Sequence, residues 1–409
     1  MPTTIDATSV AALADEPLDW RYKGLPAAWW GRTPAQVCAD TPDPFDDGAV
    51  GPLCVLRASA LEHNLSAMAA FCSERNVELA PHGKTHMSPQ LLARQLQAGA
   101  GAVTLATISQ VRTFRAFGVT RVLLANELVD TAGLRWLAAE LDSYPDFDLV
   151  CWVDSVRGVE IMTAALTAAG ARRPVDVCVD VGMSGGRSGG RGPEAVDEVA
   201  RAAARSGRLR LVGVAGYEAA TGHDVTPVAR ERVTAYLREM RTAVDRLAGV
   251  FESDEVLVTA GGSTYFDLVA DELGGRGDRV ILRSGCYLTH DDGLYRRTSP
   301  LAVFRPALTV WAQVTSRPVG DLALLTMGRR DVSFDQDLPV PYGLIDSSVT
   351  KLNDQHAYLR VGPADRDGVE VGAWLEFGIS HPCTVFDKWQ MIPVLDDDRR
   401  VVDLIRTFF

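Results

Sequence analysis

Short apolar runs alternate with longer amphipathic segments between about residues 77 and 290. The runs are continuously apolar, which is typical of strands in a parallel sheet that is covered on both faces. The segments between them, such as Pro89–Gln97 and Glu194–Ala204, space apolar residues three and four positions apart and therefore predict helices. Eight strands are predicted: Val77–Ala80, Ala102–Ala106, Arg121–Ala125, Asp148–Val153, Val175–Val181, Leu209–Ala215, Glu255–Thr259 and Arg279–Leu282.

Eight successive βα units favour an α/β fold built on a (β/α)8 TIM barrel, which we assign to residues 51–298. A doubly wound open sheet is the alternative, but no G-x-G-x-x-G follows the first strand. Ser59–Asn76 carries apolar residues on one helical face and is predicted to lead into the first barrel strand.

The sequence pattern changes after Pro300, where strand-like apolar runs are separated by turns rich in Gly, Pro and Asp. This pattern predicts a C-terminal β domain over residues 299–409. Residues 1–50 contain proline and tryptophan without a clear period, and we expect them to form an arm packed on that domain. The predicted strands of the β domain are Phe304–Val314, Leu322–Met327, His356–Val361, Trp374–Phe377 and Met391–Val394.

Composition narrows the class of partner. The net charge is −12 and no basic run is present, which argues against nucleic acid and anionic membranes as partners. The chain has no apolar stretch of about 18 residues and begins without a secretory pattern, so we expect a cytoplasmic protein. Seven scattered cysteines without a C-x-x-C pair are typical of reduced cytosolic thiols.

One lysine has an unusual position in the chain. Pro81-His82-Gly83-Lys84-Thr85-His86 places Lys84 at the end of the first predicted strand, between two histidines. Lysine forms Schiff bases with carbonyl cofactors where burial or neighbouring charge lowers its pKa. Gly83-Lys84-Thr85 resembles the end of a phosphate-binding P-loop, but Glu78 occupies the position where that motif needs glycine. An ordinary surface lysine is the alternative.

Two loops at the predicted barrel mouth have the composition of phosphate sites. They are Ala260-Gly261-Gly262-Ser263-Thr264 after strand seven and Ser284-Gly285-Cys286-Tyr287 after strand eight. Glycines let backbone N–H groups approach an anion, and barrels often bind phosphate at these two loops. A simple turn that caps the helix beginning near Tyr265 is the alternative for the first loop.

Two further groups point to the same mouth. Arg187 lies in a glycine-rich loop after strand five, where an arginine can support a cofactor phenolate or a substrate carboxylate. Tyr217 ends strand six. A solvated flexible loop and a buried tyrosine with a satisfied hydroxyl are the ordinary alternatives.

His381-Pro382-Cys383 is a candidate metal site in the β domain. Residues two apart on a strand face the same side, so the imidazole and the thiolate would converge. These donors suit zinc better than magnesium or calcium and would leave positions open for substrate. The cluster Asp354-Gln355-His356 could add a ligand or could be a turn.

These motifs together resemble the D-serine dehydratase / D-threonine aldolase family of fold-type III pyridoxal-phosphate enzymes, which combine an alanine-racemase-like barrel with a β domain. The resemblance covers about residues 50–390. It rests on the lysine motif, the two glycine loops, the His381-Pro382-Cys383 motif and Asp354-Gln355-His356, together with Val179-Asp180-Val181-Gly182-Met183, Arg187 and Gly216-Tyr217-Glu218.

The resemblance implies roles for the candidate residues. Lys84 would carry pyridoxal phosphate as a Schiff base, with His82, His86 and Tyr217 as further catalytic candidates. Arg187 would lie near the phenolic oxygen, and a zinc ion would be bound by His381 and Cys383. The cofactor-binding set would also include Tyr217, Gly262, Ser263, Thr264, Gly285, Cys286 and Tyr287.

The implied function is a lyase that dehydrates a D-β-hydroxy amino acid, such as D-serine or D-threonine, to a 2-oxo acid and ammonia. The aldolase branch typically has an aspartate as its second metal ligand, so Cys383 favours dehydration over cleavage to glycine and an aldehyde. A racemase and a non-catalytic cofactor carrier remain alternatives. The resemblance also implies a homodimer. The chain departs from the family pattern at two places. Ser184-Gly185-Gly186 before Arg187 changes the register of that loop, and the strand-six loop from Glu218 to His223 faces the substrate.

Overall fold

The computed structural model describes residues 3–409. These residues form seventeen strands and twelve α-helices. The strands are β1 (Leu53–Arg57), β2 (Glu78–Leu79), β3 (Val103–Leu105), β4 (Arg121–Glu127), β5 (Asp148–Val153), β6 (Val175–Val181), β7 (Leu209–Gly216), β8 (Leu257–Ala260), β9 (Arg279–Leu282), β10 (Leu308–Val319), β11 (Leu322–Leu325), β12 (Val340–Pro341), β13 (Ser348–Leu352), β14 (Ala357–Arg360), β15 (Trp374–Gly378), β16 (Met391–Leu395) and β17 (Val401–Arg406).

The helices connect the strands of the first sheet and are sparse elsewhere. They are α1 (Ala7–Ala11), α2 (Pro34–Asp40), α3 (Ala58–Arg75), α4 (Pro89–Gln97), α5 (Ile108–Ala116), α6 (Thr131–Ser143), α7 (Val156–Ala168), α8 (Pro193–Ala204), α9 (Pro227–Leu247), α10 (Phe266–Leu273), α11 (Leu294–Thr298) and α12 (Cys383–Phe386). Within residues 3–409, every helix is too short or too polar to span a lipid bilayer.

The first sheet confirms the predicted barrel. Its eight parallel strands follow the order β2-β9-β8-β7-β6-β5-β4-β3, and each one coincides with a predicted strand. A parallel bridge between His82 and Thr104 joins the two ends of this order, and the Thr104 amide donates to the Pro81 carbonyl at 2.9 Å. All eight strands therefore end at one mouth, where the loops that follow them meet.

Apolar side chains fill the barrel, as the continuous runs predicted. Its interior cluster includes Ala80, Leu123, Trp152, Cys178 and Ile281. Polar caps start four of the surrounding helices, namely α5, α6, α7 and α9. Asp130 accepts from two amides at the start of α6, and Ser155 accepts from the Gly158 amide in α7. These caps set where the loops before those four helices end.

The second sheet is a mostly antiparallel array of nine strands that contains β1 and β10–β17. All five strands predicted after Pro300 are present, although β10 begins at Leu308 and extends to Val319. The strands β12, β13 and β17 were not predicted, nor was β1, which pairs with β10 and β16. Its partners lie about 250 and about 340 residues away along the chain, so no local pattern indicates the pairing.

N-terminal side chains contribute to the core of the second sheet. Trp29 is fully buried, and its cluster joins this N-terminal segment to strands β1, β16 and β17. The cluster comprises Leu18, Tyr22, Leu25, Trp29, Val37, Leu53, Val55, Met391, Leu395, Val401 and Leu404.

The chain folds into two compact units that interleave along the sequence. One contains residues 3–6, 69–84 and 95–285, with the barrel, and the other contains residues 7–68, 85–94 and 286–409, with the second sheet. This division differs from the linear boundaries predicted at residues 51 and 299.

Candidate active site

Lys84 follows the first barrel strand in a short 3₁₀ turn, Gly83–Thr85. A side chain at position 83 would lie 3.0–3.2 Å from Val103, Leu105 and Phe114, so only glycine packs there without displacing its neighbours. Lys84 itself is half-buried. The turn therefore holds the lysine at the end of a barrel strand, where functional groups of such barrels are placed.

The chain contains four lysines, and they differ in their partners. Lys23 pairs with Asp331 at 2.8 Å, Lys388 pairs with Asp387 at 3.0 Å, and the Lys351 amine lies 5.0 Å from the Tyr358 ring centroid. Within residues 3–409, no hydrogen bond or ion pair engages the Lys84 amine. Lys84 is thus the lysine whose amine is left available to a carbonyl group.

The two flanking histidines lie in different environments. Burial, followed by the charges of Lys84 and Arg283, lowers the pKa of His82 well below its ordinary value, and its buried Nδ1 has no partner among residues 3–409. His86 belongs to the other unit, where its Nδ1 accepts from the Ser88 amide at 2.9 Å. His82 is therefore a neutral imidazole in the barrel unit, whereas the His86 side chain bonds to the local backbone at Ser88.

Arg187 and Tyr217, both predicted from the sequence, lie together in the structure. The Arg187 guanidinium stacks over the Tyr217 ring, 4.6 Å from its centroid. Arg191 folds the glycine-rich loop by donating to the Ser188 carbonyl at 2.7 Å. The Tyr217 amide donates to the Tyr236 hydroxyl at 3.0 Å. This loop is therefore internally bonded, and it presents Arg187 at the end of β7.

A group of carboxylates at the same strand ends was missed by the sequence analysis. Asp180 is 5% exposed and accepts from the Ser188 hydroxyl at 3.0 Å, while Asp154 accepts from the Gly189 amide at 3.3 Å. Burial, and then the charge of Asp180, raises the pKa of Glu127 to about 7. An acidic residue at the end of a predicted strand is the only sequence signal, and it does not distinguish these groups from surface acids.

Hydroxyls from the two glycine loops converge in the barrel unit. The Ser263 and Ser284 hydroxyls lie 2.9 Å apart, and Nδ1 of His223 lies 2.7 Å from the Thr264 hydroxyl. The capping alternative is not observed, because Tyr265, at the N-cap of α10, makes no side-chain capping bond. Ser263 and Ser284 are thus brought together as a phosphate site requires.

Glu218 occupies the amides at the start of the strand-seven loop. Its carboxylate accepts from the Gly261 amide at 3.0 Å and from the Gly262 amide at 2.6 Å. The Gly262 amide thus has a protein partner, and the phosphate contact predicted for it stays a prediction. The sequence analysis gave Glu218 no such role.

Arg283 is a buried cation on the strand that precedes the second glycine loop. It is 6% exposed, and its guanidinium donates to the Thr259 hydroxyl at 2.8 Å and to the Gly216 carbonyl at 2.6 Å. Burial lowers the pKa of Arg283, and the nearby Glu218 carboxylate opposes that effect. The residue was missed because an arginine at a strand end ordinarily reads as a surface group.

The barrel unit has the donor set that pyridoxal phosphate requires. It offers an available amine at Lys84, paired hydroxyls at Ser263 and Ser284, and an arginine stacked on Tyr217. Gly262 leaves room for that tyrosine, since a side chain there would lie 3.1 Å from its ring. These residues fit the cofactor, and Gly285, Cys286 and Tyr287 follow Ser284 directly in the chain.

In the second unit, two cysteines predicted for different roles lie side by side. The Cys286 and Cys383 sulfur atoms are 3.4 Å apart, and the Cys383 sulfur lies 3.4 Å from the Thr85 hydroxyl. The contact with Cys383, together with burial, raises the pKa of the Cys286 thiol well above its ordinary value. Tyr287 is buried and packs against Phe304. Cys286 is therefore a protonated neighbour of the predicted metal ligand.

The prediction that His381 and Cys383 lie on a strand is wrong. β15 ends at Gly378, His381 adopts a left-handed conformation with φ of 61°, and Cys383 begins the short helix α12. Pro382 accounts for the change, since its ring fixes φ near −60° and removes an amide donor from the chain. The convergence of the two side chains therefore cannot be argued from strand geometry.

Asp335 orients the His381 ring and was also missed. Nδ1 of His381 lies 2.5 Å from the Asp335 carboxylate, and the Thr384 hydroxyl donates to the same group at 2.8 Å. Burial acts in the opposite direction, but these hydrogen bonds hold the pKa of Asp335 below its ordinary value. A carboxylate on Nδ1 leaves Nε2 as the metal-binding atom, an arrangement common among metal-binding histidines.

The described residues supply a donor pair and no larger set. Within residues 3–409, no group of three or more histidine, cysteine or acidic side chains is arranged to hold a metal ion. Asp354, Gln355 and His356 are exposed and form the turn between β13 and β14, where the Asn353 amide donates to the His356 carbonyl. An imidazole and a thiolate still suit zinc, with positions left for other ligands.

Two family models match the chain. The model described as "Alanine racemase, N-terminal domain" matches residues 56–274, which is more than half of the chain. The model described as "Putative serine dehydratase domain" matches residues 307–395.

Similar proteins are named as enzymes of D-hydroxy amino acids. A D-threonine aldolase from Arthrobacter sp is 28% identical over 351 residues, which is 85% of this chain and 89% of the relative. A 3-hydroxy-D-aspartate aldolase from Paracoccus denitrificans is 28% identical over 325 residues, covering 78% and 81% of the two chains.

Solved structures share the fold. D-threonine aldolase from Filomicrobium marinum superposes with a TM-score of 0.78 at 24% identity, covering 88% of this chain and 95% of the other. D-threo-3-hydroxyaspartate dehydratase from Delftia sp. HT23 gives 0.73 at 23% identity, covering 88% and 98%. Further similar structures, described as D-threo-3-hydroxyaspartate dehydratase, include a histidine-to-alanine mutant and a cysteine-to-alanine mutant in the metal-free form, and the two mutated positions are two residues apart.

Proposed function

Because this chain belongs to the alanine racemase N-terminal domain family, we propose that it is a pyridoxal-phosphate- and metal-dependent lyase acting on D-β-hydroxy amino acids. The proposed main reaction is dehydration to a 2-oxo acid and ammonia. The observation that carries the proposal is the unpaired Lys84 amine at a barrel strand end, in the same unit as the Ser263–Ser284 hydroxyl pair. The named relatives support the substrate class, since they include aldolases of D-threonine and 3-hydroxy-D-aspartate.

In this proposal, different residues of the barrel unit bind the cofactor and accept the substrate α-proton. Bound pyridoxal phosphate supplies an electron sink for negative charge that develops at the substrate Cα. Lys84 would hold the cofactor through its Nζ and, when that amine is free, would accept the α-proton at the same atom. The Ser263 and Ser284 hydroxyls, which lie 2.9 Å apart, would donate to the phosphate. Arg187, held over Tyr217, provides positive charge for the phenolic oxygen.

The second unit provides the metal ligands. A divalent ion, zinc in our proposal, supplies Lewis acidity to the β-oxygen, which is a poor leaving group until its charge is neutralised. His381 and Cys383 hold the ion, and Asp335 fixes the tautomer of His381 that leaves Nε2 unprotonated. The spacing of His381 and Cys383 equals that of the histidine and cysteine mutated in the structures of D-threo-3-hydroxyaspartate dehydratase, which supports both the metal and the dehydratase outcome.

Retro-aldol cleavage is the second candidate, because the named relatives include D-threonine aldolase and 3-hydroxy-D-aspartate aldolase. It would use the same lysine but release glycine and an aldehyde. Incubation with D- and L-serine, D- and L-threonine and β-aryl analogues, with and without chelator, separates the two reactions. We expect a 2-oxo acid from D-isomers and strong inhibition by chelator. Aldehyde and glycine would replace dehydration by cleavage, and turnover of L-isomers alone would refute the proposal.

The cofactor attachment has its own test. Borohydride reduction should fix the cofactor to Lys84, and peptide mapping has only four lysines to distinguish. Lys84→Ala should abolish the labelling and lower turnover by at least about a hundredfold, because both attachment and proton transfer are lost. Lys351→Ala is the matched control, since that side chain lies on an exposed part of β13. Labelling of any other lysine would contradict the assignment.

The homodimer implied by the family resemblance is also proposed, with the active site closed by the β domain of a second copy. Solution scattering at micromolar concentration, combined with assay of the same sample, tests this. We expect a dimer, and a fully active monomer would contradict the proposal.

A further inference from the structure

Glu218 is a completely buried acidic residue, at 0% exposure, that follows Tyr217 at the end of β7. One carboxylate oxygen accepts from the Gly261 amide at 3.0 Å and the other accepts from the Gly262 amide at 2.6 Å. These contacts span 43 and 44 residues of sequence. The side chain therefore ties the loop after β7 to the loop after β8 through both of its oxygens.

The two glycines are shaped for this contact. Gly261 has φ of +91°, which favours glycine, and a side chain there would lie 2.7 Å from Leu282. A side chain at Gly262 would lie 3.3 Å from the Glu218 carboxylate and 3.1 Å from the Tyr217 ring. The glycine pair thus gives a protein carboxylate close access to two consecutive amides, which is the geometry of an anion site.

A buried carboxylate is costly unless its hydrogen bonds and charge are compensated. The two amides satisfy one oxygen each, and the buried Arg283 supplies a nearby positive charge while donating to the Gly216 carbonyl, two residues before Glu218. The Arg283 amide also donates to the Gly261 carbonyl at 3.1 Å. Glu218 and the Arg283 amide therefore bind both backbone polar groups of Gly261, its N–H and its carbonyl.

The residue that follows this fixed segment is Ser263, whose hydroxyl meets that of Ser284 at 2.9 Å. A loop whose first two residues are held by a carboxylate has little freedom to redirect the third. We propose that Glu218 is a positioning residue, which orients the Gly261–Thr264 loop so that Ser263 binds the cofactor phosphate. The inference rests on the proposed function, and it concerns the phosphate-dependent part of cofactor affinity.

Cofactor titration of the full-length apoprotein tests the inference, with pyridoxal phosphate and phosphate-free pyridoxal as paired probes. Glu218→Gln keeps the size of the side chain, but its amide group can accept from only one of the two glycine amides. We expect the dissociation constant for pyridoxal phosphate to rise about tenfold, and that for pyridoxal to change less than about twofold. Glu198→Gln, on the exposed side of α8, is the matched control and should leave both constants unchanged.

A double-mutant cycle distinguishes positioning from general damage. Ser263→Ala should weaken pyridoxal phosphate selectively, and adding Glu218→Gln to it should cost little more, because both changes act on one contact. Equal weakening of both probes by Glu218→Gln, additive effects, or tighter pyridoxal phosphate binding after removal of the charge would overturn the inference alone. A wild-type protein that binds neither probe would overturn the proposed function and the inference with it.

Discussion

The carboxyl group of Glu127 is predicted to make the free energy of unfolding depend on pH. Glu127 lies at the end of β4, and one of its oxygens is buried without a partner among residues 3–409. Its pKa is raised from 4.5 to about 7, first by burial and then by the charge of Asp180. Between these two values the folded state binds more protons than the unfolded state, so the free energy of unfolding falls as pH rises. The free energy of unfolding is lowered by the full amount above about pH 7, and it is not lowered by Glu127 below the unfolded pKa of 4.5.

The size of this effect follows from the shift. A change of 2.5 pKa units, from 4.5 to about 7, corresponds to about 3.4 kcal/mol at about 1.36 kcal/mol per unit. The side chain is partly exposed, and solvent screening reduces the expected cost to about 1–2 kcal/mol. Glu127→Gln removes the ionisation while keeping the shape. The variant should therefore be more stable than the wild type by about 1–2 kcal/mol near pH 8, and close to equal near pH 5.

Urea unfolding midpoints of the two proteins at both pH values provide the measurement, provided that the transitions keep the same slope. Glu198→Gln serves as the control for loss of an acidic side chain, because Glu198 is exposed on α8. An advantage of Glu127→Gln that is equal at both pH values, or that is larger near pH 5, would refute the reasoning. The first result would indicate an effect of packing, and the second would indicate a lowered pKa.

Two further predictions concern zinc binding, one at the ligand Cys383 and one at Asp335, the carboxylate that orients His381. Cys383→Ala should lose bound zinc. Cys38→Ala is the control and should retain the zinc, because Cys38 is a half-buried cysteine away from His381 and Cys383. Equal zinc content in the two variants would show that Cys383 is not a ligand. Asp335→Asn should weaken zinc binding by about 10–100-fold, because it removes the carboxylate on Nδ1 of His381, and unchanged zinc affinity would show that Asp335 does not act through the ring.

Local pattern was sufficient to predict the barrel but not the second sheet. Each barrel strand lies in a buried apolar run that a helical segment follows along the chain, so its signal is contained in a few tens of residues. The strand β1 has an equally apolar sequence, yet it pairs with residues 308–311. Such a partner is chosen by the tertiary fold, and no spacing rule within residues 53–57 indicates it.

The candidate site shows the same limit. Lys84, Arg187 and Ser263 were found because glycines, histidines or strand ends mark them in the sequence. Glu218 also follows a strand end, but its hydrogen bond to Gly261, 43 residues away, has no local signal, and neither has the contact of Asp335 with His381, 46 residues away. The pair His381 and Cys383 was found for a geometric reason that proved wrong, because Pro382 replaces the expected strand with a turn.

The strand-seven loop explains why composition alone predicts an anion site without identifying its anion. Gly261 and Gly262 present consecutive amides, as a phosphate cradle does, but in this chain those amides hold the carboxylate of Glu218. A phosphate placed beside a bare carboxylate would be repelled by it. The charge of the buried Arg283 acts on Glu218 and offsets this repulsion. The phosphate would then meet Ser263 and Ser284 while Glu218 keeps the two glycine amides and the buried Arg283 supplies a positive charge nearby.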